Sequence, residues 1–450
     1  MLSPLDGRYR SIVTELDELL SEEALNRARL SVEVEWLVLI AAEQTVRPLR
    51  PLTADECAVL RSFVTDFGAD QAAELGAIER AVHHDIKAVE YYLKRRMKQT
   101  SMSDVAEFVH FCCTSEDINN LAYGIQLRRA IGDVWLPAAA ALVGRITELA
   151  DRYRDQPMLG RTHGQPATPT TVGKELAVFG HRLRRQLERV RRQEFLGKFN
   201  GATGTYGAHV VACPDVDWAA VCADFVESLG LTFNPLTTQI EPHDYMAELF
   251  CDIARFNGIV HNFDTDMWQY IALGYFRQPV DAGSVGSSTM PHKVNPIRFE
   301  NAEANTELSN ALLRCLAENL TTSRMQRDLS DSSLLRNIGA ALGHSLVAIV
   351  QSDIGLSGLA LVPEALDRDL SEAWEVLGEA CQSVMRRAGV SEPYERLKSL
   401  TRGAAITKRE LHEFISALEL PEQDKSLLMA LRPADYVGLA ARLVDVVHRG

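Results

Sequence analysis

Residues 242–274 read PHDYMAELFCDIARFNGIVHNFDTDMWQYIALG and show the clearest helical period in the chain. Apolar residues recur there at steps of three and four, the spacing that keeps side chains on one face of an α-helix. These residues are Met246, Leu249, Phe250, Ile253, Phe256, Ile259, Val260, Phe263, Met267 and Ile271. At ~1.5 Å per residue, the pattern predicts one amphipathic helix on the order of 45 Å long.

Neighbouring regions extend this pattern. Residues 117–150, 298–320 and 333–360 carry long apolar stripes of the same kind, whereas alternating strands are scarce, apart from a short candidate pair near 205–213. Long helices bury such stripes against one another in a bundle. The sequence therefore predicts an all-α protein whose central domain, residues 105–360, is a bundle of long helices.

Shorter helical patterns flank this central domain and predict a domain at each end. Residues 1–104 contain two charged amphipathic patterns, near 21–45 and 69–98, and form the predicted N-terminal helical domain. Residues 361–450 carry shorter helical patterns with a charged surface and form the predicted C-terminal domain.

Charge and cysteine usage exclude several classes of protein. The 450 residues include 47 basic and 61 acidic side chains, and this net charge of −14 argues against a nonspecific nucleic-acid partner. Eight cysteines without a CxxC spacing indicate reduced thiols rather than a zinc site or disulfide framework. The first residues show no basic region followed by an apolar run, so we expect no leader sequence. We also expect no run of about 18 apolar residues that spans a membrane, and hence a cytoplasmic protein without a membrane partner.

The loop at residues 283–296 reads GSVGSSTMPHKVNP and lies between long helical patterns. Its glycines, serines and prolines are incompatible with a regular helix. A loop that carries hydroxyls, an imidazole and an ammonium is a place for chemistry, although a surface linker is the alternative interpretation. The run Gly-Ser-Ser-x-Met-Pro-x-Lys-x-Asn-Pro resembles the signature of the fumarase/aspartase superfamily. Those enzymes cleave a C–N or C–O bond and release fumarate.

A second candidate for chemistry is the proline-punctuated turn Arg161–Pro169, which contains His163. A histidine on a turn at a helix entrance can exchange a proton near neutral pH, although it can also simply cap the next helix. The run is similar to the Thr-His-x-Gln-x-Ala segment of adenylosuccinate and argininosuccinate lyases. Further stretches resemble the bacterial adenylosuccinate lyases in particular, and they extend over essentially the whole chain. These stretches are residues 3–9, 110–120, 237–245, 323–337 and 392–403.

Two of these stretches also have purely structural interpretations. Thr114, Ser115 and Asp117 form an N-cap cluster for the 117–150 helix, a role that leaves hydroxyls free for a carboxylate. Gln239 stands where it could simply cap the 242–274 helix.

The arginines of the 323–337 stretch also have two interpretations. Arg324, Arg327 and Arg336, with Asp328 and Asp331, could form a solvated salt-bridge network. Arginine clusters also hold phosphate or dicarboxylate through planar bidentate donors. Phosphate is the favoured ligand for Arg327 and Arg336, and less so for Arg324.

One glycine-rich stretch is misleading. Residues 201–207, GATGTYG, suggest a phosphate loop but lack Gly-Lys-Ser/Thr and do not join a strand to a helix in a βαβ pattern. A dinucleotide site is therefore rejected.

The resemblance implies a C–N lyase that eliminates fumarate from adenylosuccinate, giving AMP, and from SAICAR, giving AICAR. Its implied catalytic residues are Ser287 as base, His163 as acid, Lys293 and Glu300. Those implied for the succinyl group are Thr114, Ser115, Gln239 and Asn295. Those implied for the nucleotide are Arg8, Tyr9, Arg327, Ser332 and Arg336, with His84 and Asp85 lining the site. It implies no cofactor and no metal. It further implies a homotetramer with a twenty-helix core, in which each active site is shared between chains.

One departure and two alternatives accompany the resemblance. The family usually has Asn-His-Asp where this chain has His83-His84-Asp85, which puts the role of position 83 in doubt. Two adjacent helical histidines cannot face the same side, so one is expected to face solvent and the other a cleft. The alternatives are another fumarate-releasing enzyme, such as argininosuccinate lyase, fumarase or aspartase, and a non-catalytic relative like the lens crystallins that reuse this fold.

Overall fold

The computed structural model describes residues 2–42, 46–278, 290, 293–401 and 406–448. Most of these residues are helical, which confirms the predicted fold class. The α-helices are α1 Arg10–Leu20, α2 Glu22–Ala42, α3 Ala54–Thr65, α4 Ala69–Val82, α5 Asp85–Met97, α6 Ser115–Arg129, α7 Leu136–Arg152, α8 Val172–Arg191, α9 Gly207–Ala212, α10 Trp218–Ser228, α11 Asp244–Ala272, α12 Ile297–Leu320, α13 Ser330–Leu335, α14 Ile338–Ser357, α15 Pro363–Glu372, α16 Gly378–Arg387, α17 Pro393–Thr401, α18 Lys408–Ala417, α19 Glu422–Ala430 and α20 Ala440–Leu443.

Strands occur as short pairs. The antiparallel hairpin of β1 Pro157–Thr162 and β2 Gln165–Thr171 is the longest. Two-residue pairs follow, with β3 Leu196–Gly197 parallel to β4 Thr232–Phe233 and β5 Phe276–Arg277 antiparallel to β6 Ala360–Leu361.

The chain forms two compact units, each built from three segments. Unit 1 comprises Met1–Ala139, Gln186–Gly258 and Ala304–Ala348. Unit 2 comprises Ala140–Arg185, Ile259–Glu303 and Ile349–Gly450. The three-domain division at residues 104 and 360, and the tetramer, stay predictions.

The long helices were predicted well because their apolar period is strong. The 242–274 pattern is α11, Asp244–Ala272, and the 298–320 pattern is α12, Ile297–Leu320. The 117–150 pattern is helical from Ser115 to Arg152, although its turn Ala130–Trp135 is a π-helix between α6 and α7. A π-helical turn inserts an extra residue per turn, a local change that a period count does not reveal.

Two helical stretches correct the expectation that no part of the chain is apolar enough to cross a membrane. Ser115–Arg152 and Ser330–Ser357 each contain an 18-residue window that passes by length and hydropathy. Those windows are 50% and 61% buried inside the protein, so core packing accounts for half or more of each.

An aromatic cluster holds the core of unit 1 together. The ring of Trp36 on α2 lies 4.3 Å from that of Phe199 and 5.1 Å from that of Phe225, measured between ring centroids. Trp36 is fully buried, and its indole N–H donates to the carbonyl of Phe111 at 3.0 Å. This cluster fixes α2 beside the segment that leads into α6, and both helices carry candidate site residues.

The predicted helix at 69–98 is wrong as a single element. It breaks at His83, whose φ of 53° is left-handed, and His84 then caps α5 by accepting the N–H of Lys87 at 3.2 Å. The apolar period continues across the break, which is why the sequence suggested one helix. His83 and His84 also line the same cavity, so the expectation that one faces solvent and the other a cleft is wrong.

The segment around His163 is a β-hairpin rather than a helix entrance. Thr162 pairs with Gln165, and the two residues between them, His163 and Gly164, have φ of 53° and 74°. Two consecutive positive φ values at a two-residue loop match the twist of the flanking strands. The strand pair expected near 205–213 is also wrong, because Gly207–Ala212 is a helix.

The C-terminal part of unit 2 has a core of its own. The predicted shorter helices are present after residue 360, and they bury a compact apolar set against one another. This set includes Leu370, Leu377, Met385, Leu411 and Ile415.

Candidate active site

Unit 1 contains a cavity of about 650 Å³ that brings six of the predicted site residues together. These six are His84, Asp85, Ser115, Arg327, Ser332 and Arg336. Four different elements contribute them, namely the α4–α5 junction, the start of α6, the segment before α13, and α13 with its C-cap. The cavity therefore depends on the tertiary fold of unit 1.

Asp85, the first residue of α5, is the best-anchored carboxylate of the cavity. Its Oδ1 accepts the N–H of Ile86 at 2.9 Å, and its Oδ2 lies 2.6 Å from Arg29 Nη2 and 3.6 Å from Arg336 Nη2. Burial alone would raise the pKa of Asp85, but Arg29, the Ile86 N–H and Arg336 together lower it below its usual range. Asp85 is thus held as an anion between two arginines.

The guanidinium of Arg336 is oriented before any ligand arrives. Its Nε donates to Glu22 Oε1 at 3.0 Å, and its Nη1 donates to the hydroxyl and the carbonyl of Ser332 at 2.6 and 2.9 Å. Because these contacts fix the plane of the group, its remaining N–H donors point in set directions.

Arg327 is anchored by different partners. Its Nη2 lies 2.8 Å from Oε1 of Glu116, a residue only 2% exposed, and its Nη1 donates to Gln239 Oε1 at 3.0 Å. Burial raises the pKa of Glu116, and Arg327 opposes this shift. Gln239 therefore contacts a site arginine, and its own Nε2 donates to the carbonyl of Ala202 at 3.0 Å. The interpretation of Gln239 as a helix cap is wrong.

The N-cap interpretation of Thr114 and Ser115 is confirmed. Thr114 is the N-cap of α6, and its N–H donates to Asp117 Oδ2 at 2.8 Å. Asp117 is fully buried and also pairs with Lys198 Nζ at 2.8 Å. Ser115 opens the helix with its Oγ 3.5 Å from His84 Nε2, so the cap also presents a hydroxyl to the cavity.

Three other residues considered as nucleotide ligands, Arg324, Arg8 and Tyr9, lie elsewhere in unit 1. Arg324 has a side chain that is 82% exposed and pairs with Asp328 at 3.1 Å, which supports the salt-bridge interpretation for this arginine. Arg8 and Tyr9 stand just before α1, with the Arg8 guanidinium 6.0 Å from the Tyr9 ring centroid. Neither is among the described residues that line the cavity.

The residues predicted to carry the chemistry belong to unit 2. His163 is exposed at the tip of the β1–β2 hairpin. Lys293 is exposed and Asn295 half-buried just before α12, and Glu300 in its first turn accepts the indole N–H of Trp268 at 3.0 Å. Ser287, the predicted base, lies outside the described residues.

Sequence reasoning missed three buried polar residues at the cavity, which are Asn119, in its lining, and Arg29 and Glu116, which contact lining residues. Arg29 is 2% exposed and donates to Asp85, Asn119 and Asn26. It stands seven residues before Trp36 and hence on the same helical face. A charge on a buried face must be paired, so this spacing could have identified Arg29.

Metal ligation finds no support in the part of the chain that the structure describes. Within those ranges, no group of three or more His, Cys, Asp or Glu side chains is arranged to hold a metal ion.

Comparisons with known proteins agree along the whole chain. A family model described as Lyase matches residues 7–308, and one described as Adenylosuccinate lyase C-terminal matches residues 323–437. The chain is 49% identical over 445 residues to adenylosuccinate lyase from Escherichia coli (strain K12), covering 99% of this chain and 98% of that protein. It is 48% identical to adenylosuccinate lyase from Haemophilus influenzae, with the same coverage.

Solved structures with low sequence identity share the fold. The 3-carboxy-cis,cis-muconate lactonizing enzyme from Pseudomonas putida matches with a TM-score of 0.76 at 21% identity, covering 96% of each chain. A fumarate lyase from Mesorhizobium sp. BNC1 matches with a TM-score of 0.76 at 20% identity, covering 97% of this chain and 98% of that one.

Proposed function

Because this chain belongs to the adenylosuccinate lyase family, we propose that it eliminates fumarate from adenylosuccinate to give AMP, and from SAICAR to give AICAR. The enzyme is a C–N lyase with a purine nucleotide substrate. It works in the cytoplasm, with neither nucleic acid nor membrane as a partner. The alternatives, argininosuccinate lyase and a non-catalytic relative, are disfavoured by the match over residues 323–437 and by the presence of His163, Ser287 and Lys293.

The observation that carries the proposal is the orientation of Arg336 in the unit 1 cavity. A phosphate needs planar, charged donors whose directions are already set. Glu22 and Ser332 hold the guanidinium in one plane, and Asp85 lies 3.6 Å from its Nη2. Arg336, Ser332 and Arg327 therefore bind the phosphate and ribose, together with Arg8 and Tyr9. His84 and Asp85 line the same pocket.

The succinyl group is held by Thr114, Ser115, Gln239 and Asn295. Ser287 removes a proton from Cβ of the succinyl group, and the electron pair forms the C=C bond of fumarate as the C–N bond breaks. His163 gives a proton to the leaving nitrogen. Lys293 stabilises the negative charge that accumulates on the adjacent carboxylate, and Glu300 orients the acid. The reaction is proton transfer assisted by electrostatics, and it calls for neither metal nor cofactor.

The enzyme is a homotetramer with a twenty-helix core, in which each site takes residues from three chains. Support comes from exposed apolar side chains on the long helices, such as Trp268 at 41%, Leu308 at 52% and Ile354 at 41% exposed. His163 and Ser287 at one site then come from different chains.

Incubation of the pure protein with adenylosuccinate, while fumarate is measured, tests the activity. Release of fumarate and AMP supports the proposal. Release from argininosuccinate alone would assign the chain to the other lyase, and no release from either would point to the non-catalytic alternative.

Mixed tetramers test the shared site. His163→Gln and Ser287→Ala subunits, each inactive alone, are denatured and renatured together. Recovery of up to roughly a quarter of the parental activity is expected, because some sites then combine two intact residues. Hybrid tetramers without activity would place both residues on one chain, and a monomer in sedimentation would remove the tetramer.

A further inference from the structure

A continuous chain of side-chain hydrogen bonds runs along the unit 1 cavity, which two of its members, Asn119 and Arg327, line directly. Arg29 Nε donates to Asn119 Oδ1 at 2.9 Å, and Asn119 Nδ2 donates to Glu116 Oε1 at 2.7 Å. The same Glu116 oxygen lies 2.8 Å from Arg327 Nη2, and Arg327 Nη1 donates to Gln239 Oε1 at 3.0 Å. These five residues form the buried hydrogen-bond chain.

Its two ends contact different parts of the candidate site. At one end Arg29 Nη2 holds Asp85, which also faces Arg336. At the other end Gln239 is fixed between Arg327 and the carbonyl of Ala202. Asp85 and Arg336 belong to the proposed nucleotide end, and Gln239 to the proposed succinyl end.

Asn119 joins the Arg29 end of the buried hydrogen-bond chain to its Glu116 end. It is 8% exposed, and its amide oxygen and nitrogen are both engaged, by Arg29 and Glu116 respectively. Because the amide donates on one side and accepts on the other, its orientation is fixed by both charged neighbours. Arg29 and Glu116, each only 2% exposed, are ion-paired with Asp85 and Arg327 respectively, so a shift of either pair is passed to the amide that joins them.

We propose that Asn119 is a positioning residue that couples recognition of the nucleotide to recognition of the succinyl group through the buried hydrogen-bond chain. The inference rests on the proposed function. When a phosphate binds Arg336, Asp85 is left paired with Arg29, and Arg29 and Asn119 then hold Glu116 so that Arg327 keeps Gln239 in position for the dicarboxylate. The two products, AMP and fumarate, therefore bind more tightly together than separately, because the first to bind stabilises the arrangement of the groups that meet the second.

Titration calorimetry on the whole enzyme measures this coupling as the ratio of the AMP dissociation constants without and with saturating fumarate. In the parent the ratio is expected to lie between about 5 and 150. In Asn119→Leu it falls to near one, while AMP alone still binds within about threefold of the parent, because Arg29 keeps Asp85 in place. Asn119→Asp keeps the acceptor for Arg29 but loses the donor to Glu116, and it also lowers the ratio.

Asn305→Leu is the matched control. Asn305 is another buried asparagine of unit 1, 4% exposed, and its Oδ1 lies 2.8 Å from His344 Nδ1. Its replacement lowers the melting temperature but leaves the ratio unchanged. If Asn119→Leu does not fold, Arg29→Lys replaces it, since lysine keeps the charge but lacks the fork that reaches both Asp85 and Asn119.

An unchanged ratio in folded Asn119→Leu, or a parent ratio of one with both products bound, overturns the coupling and leaves the proposed function standing. A parent that binds neither AMP nor fumarate overturns the proposed function, and the coupling with it.

Discussion

The cavity of unit 1 and the hairpin of unit 2 hold their candidate residues in different ways. In unit 1, Asp85, Arg327 and Arg336 are each fixed by two or more hydrogen bonds or ion pairs to buried or half-buried partners. In unit 2, His163 stands exposed at the tip of β1–β2, and Lys293 is exposed before α12.

The difference fits a division of work. Groups that recognise a charged ligand bind it more tightly when they are preorganised, because binding then does not have to order them. The residues proposed to exchange protons lie on exposed segments, where the proposed partner chains can reach them. The comparison therefore predicts that changes in unit 2 alter kcat and that changes in the unit 1 cavity alter KM.

The largest effect is expected for Ser287→Ala. Removing the proposed base should lower kcat on the order of 10³-fold or more, while adenylosuccinate still binds, because most of the proposed binding residues lie in unit 1. Single-turnover fumarate release and calorimetry with adenylosuccinate measure the two quantities. Turnover within about tenfold of the parent would contradict the assignment of the base.

His163→Gln should be the next most severe, with kcat lowered roughly 10²- to 10⁴-fold and KM little changed. Glutamine keeps a polar side chain at the hairpin tip but does not deliver a proton at neutral pH. His181→Gln, a half-buried histidine on α8, is the control and should keep parental kcat. If KM rises instead while kcat holds, His163 is a binding residue and the comparison of the two regions breaks down.

Arg336→Leu tests the unit 1 side of the comparison. Loss of a charged, pre-oriented donor should raise KM for adenylosuccinate roughly 10- to 100-fold and change kcat much less. Arg324→Leu removes the same side chain from a position 82% exposed and should leave KM unchanged. Equal effects of the two substitutions would mean that the arginines act only through the general charge of this surface.

Some of the features behind these predictions could be predicted from the sequence alone, and others are evident only in the structure. The long helices were predictable because an apolar period repeated over 29 residues in α11 outweighs local exceptions. The break at His83 and the β-hairpin around the predicted turn at His163 were not, since both depend on a left-handed backbone that histidine adopts under local constraint. Ser332 and Arg336 lie close together in the sequence and share one motif, whereas Arg29 and Asn119 are 90 residues apart and meet only in the folded chain.

The smallest predicted effect is on the stability of unit 1 rather than on ligand binding in its cavity. His209 on α9 is fully buried, with its ring 4.9 Å from Trp218 and 5.8 Å from Tyr206 between centroids. Its two ring nitrogens have no hydrogen-bond partner among the described residues. Burial lowers the pKa of His209, an effect that Asp117 partly offsets. The native state therefore keeps this imidazole neutral.

The sign of the resulting pH dependence follows from proton binding. Above the ordinary histidine pKa of 6.5, the folded and unfolded chains both carry neutral His209, and its contribution to stability is complete. As the pH falls below that value, the unfolded chain binds a proton that the folded chain does not, so the free energy of unfolding decreases. His209→Gln, which does not titrate, should flatten the fall in melting temperature between pH 7 and 5 by a few °C at most.

The neighbouring substitution Val210→Ala is the control, because Val210 is 51% exposed on the same short helix and leaves the histidine in place. It should keep the parental slope of melting temperature against pH.

His209 also packs beside the loop at Gly201 and Ala202. Its Cε1 lies 3.6 Å from the position that a Cβ on Gly201 would occupy, and the Ala202 carbonyl of this loop accepts a hydrogen bond from Gln239. If His209→Gln flattens the slope and leaves KM unchanged, the histidine affects the stability of unit 1 but does not affect substrate binding through this loop. An unflattened slope would mean that acid acts on unit 1 through another group, and the next to test is His344, a buried histidine whose pKa is also lowered by burial.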